Sequence, residues 1–276
     1  MKRYFSASAT SQFLSRFQKH LANTAPKEHV VKTLVKPVGL ERAPTAAVKY
    51  HEGNSFREMF DNAKTSKRTE ELELEFSKSG FYDVYTFRKT KGKLFLSPAS
   101  YWRKDKALYF PHLHGRSLSD SSTQNVEDCM RGKISVVRMF TSEVGDELVK
   151  SYFRQGEEDY LRDEAKLNTA GDPVHTQIVE VNLVENFMKS LIVKMSLGKI
   201  RKSVPEARHS RYFVCERDQL PFLVREELQM NNLYTGYVVV VDPDLRIRWM
   251  GCGGADQREF NLLWKCVRGL QREQTQ

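Results

Sequence analysis

The stretch KISVVRMFTSEVGDELVKSYF, from Lys133 to Phe153, decides the fold. Its first part, Ile134 to Phe140, is a nearly continuous apolar run, which is typical of a buried strand. A short turn follows, and then apolar residues recur at the spacing of one helical face: Val144, Leu148, Val149, Tyr152 and Phe153. The stretch therefore predicts a buried strand, a tight turn and an amphipathic helix.

Further strands are predicted downstream. Gln177 to Leu183 is a second apolar run, and Tyr237 to Val241 is a third. The turn sequence Asp242-Pro243-Asp244 then leads into Arg246 to Met250, so the third and fourth strands form an antiparallel hairpin.

Helices are predicted between and after these strands. Phe187 to Met195 carries apolar residues at helical spacing and ends by Gly198. Asp218 is a candidate cap for a third helix that carries Leu223 and Leu228. Asp256 and Glu259 have the spacing of a capping box. The last helix then shows an apolar stripe: Phe260, Leu263, Trp264, Val267 and Leu270.

The order of elements is therefore strand, helix, strand, helix, a further helix, hairpin and helix. Helices between strands predict parallel crossovers, whereas the hairpin is antiparallel. This α/β order resembles the thioredoxin fold, a mixed sheet flanked by helices. The fold alone does not fix an activity.

Redox chemistry requires residues that this chain lacks at the expected positions. The turn before the first helix reads Thr141, Ser142 and Glu143, where thioredoxins carry reactive cysteines. The segment before the hairpin reads Thr235-Gly236-Tyr237, where thioredoxins carry a cis-proline. We therefore predict no catalytic residue.

The cysteines and histidines give no metal signature. Cys129, Cys215, Cys252 and Cys266 form neither a C-x-x-C pair nor a zinc pattern. We expect Cys252, in MGCGG, to lie in a glycine-rich turn, and Cys266 to fill a helix core. His112 and His114 form a lone H-x-H, which is more often structural. The sequence predicts no metal site and no cofactor.

The amino-terminal residues have the composition of a targeting leader. Residues 1–27 are basic, rich in serine and alanine, and free of acidic residues, which predicts a mitochondrial transit peptide. The formal net charge of +9 divides into +10 over residues 1–125 and −1 over residues 126–276. This asymmetry favours contact with an acidic surface, such as lipid or nucleic acid. Part of the excess belongs to the leader itself.

Three further segments follow the leader. Residues 28–70 are predicted to be an irregular polar linker, with a short helix around 54–63. Residues 71–125 form a basic and aromatic extension, in which ELELEF and FYDVYTF alternate as strands do and RKTKGK makes a turn at Gly92. The polar SDSSTQN, residues 119–125, is a predicted hinge. Residues 126–276 form the thioredoxin-like domain.

One part of the extension is a candidate partner-binding segment. SYWRKDKALYFP interleaves aromatic and basic side chains: Tyr101, Trp102, Arg103, Lys104, Tyr109 and Phe110. Such interleaving is used to bind single-stranded nucleic acid. It also suits an acidic lipid surface or the apolar helices of a partner, and it is equally compatible with a partly buried strand.

Several stretches together carry a family resemblance. They are KALYFPHLHGRSL, the opening stretch, QIVEVNLVENFMKSLIVKMSLGKIRKSVPE and TGYVVVVDPDLRIRWMGCGGADQREFNLLWKCVRGL. With the basic leader, they resemble the fungal mitochondrial assembly factors of the F-type ATP synthase. The resemblance implies a peripheral protein on the matrix side of the inner membrane. It implies binding of newly made subunit 6 (subunit a) and assistance in joining it to the subunit c ring.

That resemblance also implies an assembly chaperone rather than an enzyme, with no small-molecule substrate and no nucleic acid. Two alternatives stay open from the residues themselves. One is a thioredoxin-like redox or peroxidase enzyme, and the other is an RNA-binding translation factor, which the basic aromatic segment favours.

Overall fold

The computed structural model describes residues 29–48, 50, 80–169, 171–185 and 197–274. Four predictions lie outside these residues: the transit peptide, the helix around 54–63, the alternation over 71–76 and the helix over 187–195.

The described strands and helices are numbered here in chain order. The strands are β1 (Lys32–Thr33), β2 (Phe95–Leu96), β3 (His114–Ser117), β4 (Thr123–Asn125), β5 (Ile134–Phe140), β6 (Arg154–Gln155), β7 (Glu158–Asp159), β8 (Thr176–Val184), β9 (Tyr212–Glu216), β10 (Tyr237–Val241) and β11 (Ile247–Cys252). The α-helices are α1 (Gly80–Thr90), α2 (Glu143–Lys150), α3 (Phe222–Glu227) and α4 (Gln257–Glu273). Residues 197–203 are also helical.

Seven strands form one mixed sheet in the order β11-β10-β5-β8-β9-β3-β4. The pairs β5–β8 and β8–β9 are parallel, and β10 is antiparallel to both β5 and β11. Helix α2 follows β5, and α4 follows the β10–β11 hairpin. The four strands β8-β5-β10-β11 with these helices have the thioredoxin-like topology, so the predicted fold class is confirmed.

The two faces of the sheet are buried in different ways. Along β10, Val238 and Val240 pack on the face covered by α2 and α4, together with Trp249 of β11. Tyr237 and Val239 point to the opposite face, as the alternation of strand side chains requires.

That opposite face is covered largely by the segment before β5. Phe95, Trp102, Phe110 and Leu113 are buried in the same apolar cluster as Val239. Strands β3 and β4 also extend the seven-stranded sheet itself, because β3 pairs with β9. The sheet therefore continues across residue 125. Residues 119–125 contain the β3–β4 turn and β4, rather than the predicted hinge.

The segment predicted as a linker also contributes to this layer. Val38 and Leu40 are buried, and β1 pairs in parallel with β2. Described residues 29–48 are short of regular structure, as predicted, yet they pack on the folded core.

Four local predictions are wrong. FYDVYTF lies in helix α1 rather than in strands, and its buried Asp83 and Thr86 are three residues apart on one helical face. Seven residues are too few for periodicity to separate helix from strand. Gly198 does not terminate a helix, since residues 197–203 are helical, and the predicted helix over 187–195 itself lies outside the described residues.

The other two concern a cap and a turn. Asp218 lies within a single 3-10 turn, Arg217–Gln219, and α3 begins after Pro221. Proline suits that position because it has no backbone N–H to satisfy. Cys252 is the last residue of β11 rather than part of the glycine turn, which begins at Gly253 with φ of 64°.

Candidate functional site: the covered end of helix α2

The amino-terminal end of α2 lies where a thioredoxin-like fold carries its redox centre. Ser142 caps the helix: its Oγ accepts a hydrogen bond from Gly145 N at 3.0 Å and donates to Tyr234 O at 3.1 Å. Thr141 and Glu143 flank this cap and offer no thiol. The turn is therefore built as a helix cap, with the hydroxyl satisfying a backbone N–H that the helix leaves unpaired.

The backbone of the Tyr234–Gly236 loop packs directly on α2. A Cβ added at Gly145 would lie 2.9 Å from Thr235 O, and a Cβ added at Gly236 would clash with the carbonyl oxygen of Gly145. Both positions therefore require glycine. The described residues contain no cis peptide bond.

The turn after α1 covers this end of the domain. Thr235 Oγ1 donates to Gly92 O at 2.7 Å, and Gly92 adopts a φ of 83°, which favours glycine. A Cβ added at Gly253 would lie 2.5 Å from Gly92 O. The rings of Phe87 and Tyr234 approach to 6.0 Å between centroids. The predicted turn at Gly92 is confirmed, and it packs between the α2 end and the β11 end.

Lys93 fixes that turn to the core. Its Nζ lies 2.5 Å from Glu259 Oε2 and donates to the Tyr152 hydroxyl at 3.1 Å. Ser97 Oγ donates to the other oxygen of Glu259 at 3.0 Å. The Glu259 carboxylate of α4 thus binds two residues of the extension, Lys93 and Ser97. The capping pair is confirmed in one direction, because Asp256 Oδ1 accepts from Glu259 N at 2.8 Å.

The four cysteines are free thiols, of which Cys215, Cys252 and Cys266 are buried and Cys129 is partly buried. Burial raises the pKa of Cys129, Cys252 and Cys266 to about 11 each. Burial also raises the pKa of Cys215 well above its usual range. Because the thiolate is the nucleophile, a thiol with a raised pKa is poorly reactive at neutral pH. Cys266 is a core residue of α4, as predicted.

The histidine pair has a structural contact. His112 Nδ1 lies 2.5 Å from Glu127 Oε1, and that carboxylate is buried. The ring of His114 lies 6.2 Å from the His112 ring. No group of three or more metal-ligating side chains occurs in the part of the chain that the structure describes.

Two of the six predicted partner-binding residues are core residues. Phe110 is 1% exposed and Trp102 is 8% exposed. The backbone of Trp102 makes two hydrogen bonds with Arg248 of β11: its N donates to Arg248 O, and its O accepts from the Arg248 side chain at Nε, each at 2.7 Å. These two side chains hold the extension on the sheet and present no surface for a partner.

The other four lie at the surface to different degrees. Tyr101 and Tyr109 are half-buried beneath arginines, with Arg246 Cζ 4.4 Å from the Tyr109 ring centroid. Arg103 is exposed and pairs with Asp105 at 3.0 Å, and exposed Lys104 pairs with Asp244. The structure therefore separates the basic residues from the aromatic core residues that alternate with them in sequence.

Residues 101–110 run along the outer edge of β11. Ile247 N donates to Leu108 O at 2.7 Å, and Phe110 N donates to Leu245 O at 2.8 Å. Edge strands with free backbone groups invite aggregation, and this segment covers such an edge. The sequence did not indicate this role, because the pairing joins residues far apart in the chain.

The fold and this site define a thioredoxin-like protein whose redox position is a capped and covered helix end without thiols. The family model described as ATP10 protein matches residues 18–270. The chain belongs to the ATP10 protein family.

Relatives of nearly equal length support this membership. Mitochondrial ATPase complex subunit ATP10 of Eremothecium gossypii is 54% identical over 272 residues, which cover 99% of this chain and 97% of the relative. The protein of the same name from Saccharomyces cerevisiae is 49% identical over 276 residues, covering 98% of each chain.

Solved structures are more distant. A DsbF homologue from Corynebacterium diphtheriae has 12% identity and a TM-score of 0.39, covering 63% of this chain and 92% of that chain. The fold assignment rests on the strand order described above. Within the described residues, no helix is long and apolar enough to cross a membrane.

Proposed function

We propose that the protein is a non-catalytic assembly chaperone of the mitochondrial ATP synthase. It binds newly made subunit 6 and promotes its assembly with the subunit c ring. The observation that carries this proposal is the full-length similarity to proteins named as mitochondrial ATPase complex subunits. The client itself comes from the family resemblance stated above.

The geometry of the α2 end favours binding over chemistry. A redox enzyme must present a thiolate at this position, and Ser142 presents a capping hydroxyl instead. The Tyr234–Gly236 loop, which Gly92 O holds through Thr235, also packs against Gly145 at this end. A chaperone needs a stable surface on which apolar helices are shielded until they pack, and this requires no reactive group.

Crosslinking to newly synthesised mitochondrial translation products tests the proposal directly. We expect subunit 6 to be captured by the full-length protein, and capture to survive nuclease treatment. Capture of RNA in place of subunit 6, or loss of the complex on nuclease treatment, would instead support the translation factor.

Replacing all four cysteines with serine separates a chaperone from a redox enzyme. We expect normal ATP synthase assembly wherever the variant stays folded. Failed assembly by a folded variant would favour thiol chemistry. Alanine at Thr141, Ser142 and Glu143 asks whether this turn touches the client, since unchanged binding would make it purely structural.

We further propose peripheral attachment to the matrix side of the inner membrane. The supporting observation is the excess of +5 that residues 28–125 carry beyond the predicted leader (17 Lys and Arg against 12 Asp and Glu), since each basic residue near an anionic surface contributes roughly 1 kcal/mol. High salt and alkaline carbonate are expected to release the protein from mitochondrial membranes. Retention under both conditions would contradict an electrostatic attachment.

Arg103 and Lys104 remain candidate contacts for a partner, because they are the exposed members of the predicted set. The double substitution Arg103→Gln with Lys104→Gln tests this in the same crosslinking assay. A reduced yield of the subunit 6 crosslink is expected, and an unchanged yield would remove these residues from the binding surface.

A further inference from the structure

A cleft lies between the extension and the short helix α3, beside the residues that lead into the Tyr234–Gly236 loop. Its volume is about 480 Å³, within the size range of ligand sites. One wall is apolar and includes Leu34, Leu94 and Phe222, while its polar lining includes Asp83, Thr86 and Arg217. The cleft therefore combines an apolar wall with a few fixed polar groups.

Arg217 is the most telling residue in this cleft. Arg217 is 9% exposed, and its Nη2 donates a hydrogen bond to Asn231 O at 2.7 Å. A guanidinium has five N–H donors, and this is the single hydrogen bond that Arg217 donates among the described residues. Burial, followed by the nearby Arg225, lowers its pKa to about 10. The arrangement leaves donor capacity for a further acceptor.

Thr86 adds a second observation of the same kind. It is 2% exposed and lines the cleft, and its Oγ1 has no hydrogen-bond partner in the described part of the chain. A buried hydroxyl without a partner is costly. Like Arg217, it has a donor to offer.

The acidic groups of the cleft do not remove this excess of donors. Asp83 Oδ2 accepts from Leu233 N at 3.1 Å, and its contact with Arg217 is electrostatic rather than hydrogen-bonded. Glu185 and Glu226 also line the cleft, and both have interactions of their own. Thr86 Oγ1 therefore lacks a partner, and Arg217 has N–H groups beyond its bond to Asn231 O that an acceptor in the cleft can use.

Strand β1 supplies a backbone edge beside the same cleft. Lys32, Thr33 and Leu34 line the cleft, and β1 pairs with β2 on one side only within the described residues. Leu34 N donates to Leu96 O at 2.8 Å, so the alternation of a parallel pair turns the N–H of Thr33 away from β2. An extended peptide adds to an unpaired edge of this kind.

We infer that this cleft binds an extended segment of a partner protein, which pairs with β1 and places an acidic side chain on Arg217. Apolar side chains of the segment pack on Leu34 and Phe222. Arg217 selects the carboxylate, and the Thr33 edge selects the extended backbone. The inference rests on the proposed function only in expecting a protein ligand.

Purified full-length protein and two labelled octapeptides test this inference without any assembly assay. The first probe alternates valine and threonine around one central aspartate, and the second has asparagine in its place. In fluorescence polarisation, the aspartate peptide is expected to bind at least tenfold more tightly. Arg217→Gln should abolish this difference, whereas Arg162→Gln, which changes an exposed arginine outside the cleft, should preserve it.

A second variant protects the test from misfolding of Arg217→Gln. Thr33→Pro removes the outward N–H at an exposed position and should weaken both peptides at least tenfold, with an unchanged circular dichroism spectrum. Three results would overturn the inference. They are equal binding of the two peptides, no binding of the aspartate peptide at a concentration of about 1 mM, and unchanged peptide binding by a folded Thr33→Pro variant. Failure here leaves the subunit 6 crosslink untouched, so the two proposals fail separately.

Discussion

The two faces of the central sheet are closed by unlike means. One face is covered by α2 and α4, whose apolar stripes pack on Val238, Val240 and Trp249. The other is covered largely by loops and short elements that come from residues before β5 and from around α3. Both faces are buried. The first is covered by helices close in sequence to the strands they cover, and the second by segments distant in sequence.

The two faces therefore differ in role: the helical face is common to thioredoxin-like domains, and the extension face is added to it in this chain. The helical face is what any thioredoxin-like domain needs to bury its sheet. The extension face carries the features that a generic domain does not need: the cover over the α2 end, the protection of the β11 edge and the cleft at Arg217. The four predictions below test whether the extension is as integral as the helices.

The largest expected effect comes from emptying each face in turn. Phe110→Ala, on the extension face, should lower the free energy of unfolding by about 3 to 5 kcal/mol, as should Phe260→Ala in α4. Urea denaturation followed by circular dichroism measures both. Leu223→Ala, at a residue that is 47% exposed, is the control and should stay within about 0.5 kcal/mol. A loss below about 1 kcal/mol for Phe110→Ala alone would show that the extension is a separate attachment.

The next effect concerns the contact that fixes the turn after α1. Lys93→Met keeps the aliphatic stem but removes the charge that meets Glu259, so a loss of about 1.5 kcal/mol is expected. Amide hydrogen exchange at residues 143–148 should accelerate, because the cover over α2 opens more often. The matched control is Lys91→Met, two residues away and exposed. Equal exchange in both variants would refute the covering role of Lys93.

A smaller effect depends on pH. Burial raises the pKa of Asp83 from its ordinary value of 3.8 to about 6, against the opposing influence of Leu233 N, Arg217 and Arg225. The folded state thus holds this proton more tightly than the unfolded state does. The contribution of Asp83 to stability is therefore fully present below about pH 4 and is lost as pH rises through 6.

Asp83→Asn isolates this contribution. Asparagine keeps an acceptor for Leu233 N but does not titrate. The difference in unfolding free energy between the parent and the variant should change by about 1 to 2 kcal/mol between pH 4 and pH 7.5, with the parent losing more. Asp105→Asn, on the exposed 101–110 segment, serves as the control. Parallel pH profiles for parent and Asp83→Asn would contradict the expected titration.

The smallest effect tests the cap itself. Ser142→Ala removes the oxygen that accepts from Gly145 N, and the expected loss is about 1 kcal/mol. Thermal unfolding measures it, with Thr141→Ala as the neighbouring control. If the two substitutions lower the stability by the same amount, the Ser142 hydroxyl does not stabilise the helix end as a cap.

Local sequence signals were sufficient for the helical face. Strands β5, β8 and β10 and helices α2 and α4 were predicted because each carries its own periodicity or cap, such as Asp256 before α4. Helix α1 was not, because FYDVYTF alternates over too short a window.

The extension face could not be predicted from such signals. Its packing depends on contacts such as Trp102 to Arg248, which are 146 residues apart in the chain. The interleaved pattern of residues 101–110 does not decide between a binding segment and a buried one, because aromatic and basic side chains alternate in both. The cleft at Arg217 is lined by segments that are far apart in the chain and share no motif, so its residues come close together only when the protein folds.

The pairing of residues 101–110 with β11 also constrains when the protein can fold. During synthesis the extension emerges first and waits for strand β11, which follows 146 residues later at the Trp102–Arg248 contact. At translation rates of about 5 to 20 residues per second, this interval lasts about 7 to 30 s. The extension spends that time as unpaired chain, and apolar residues such as Trp102 and Phe110 stay uncovered until the sheet closes.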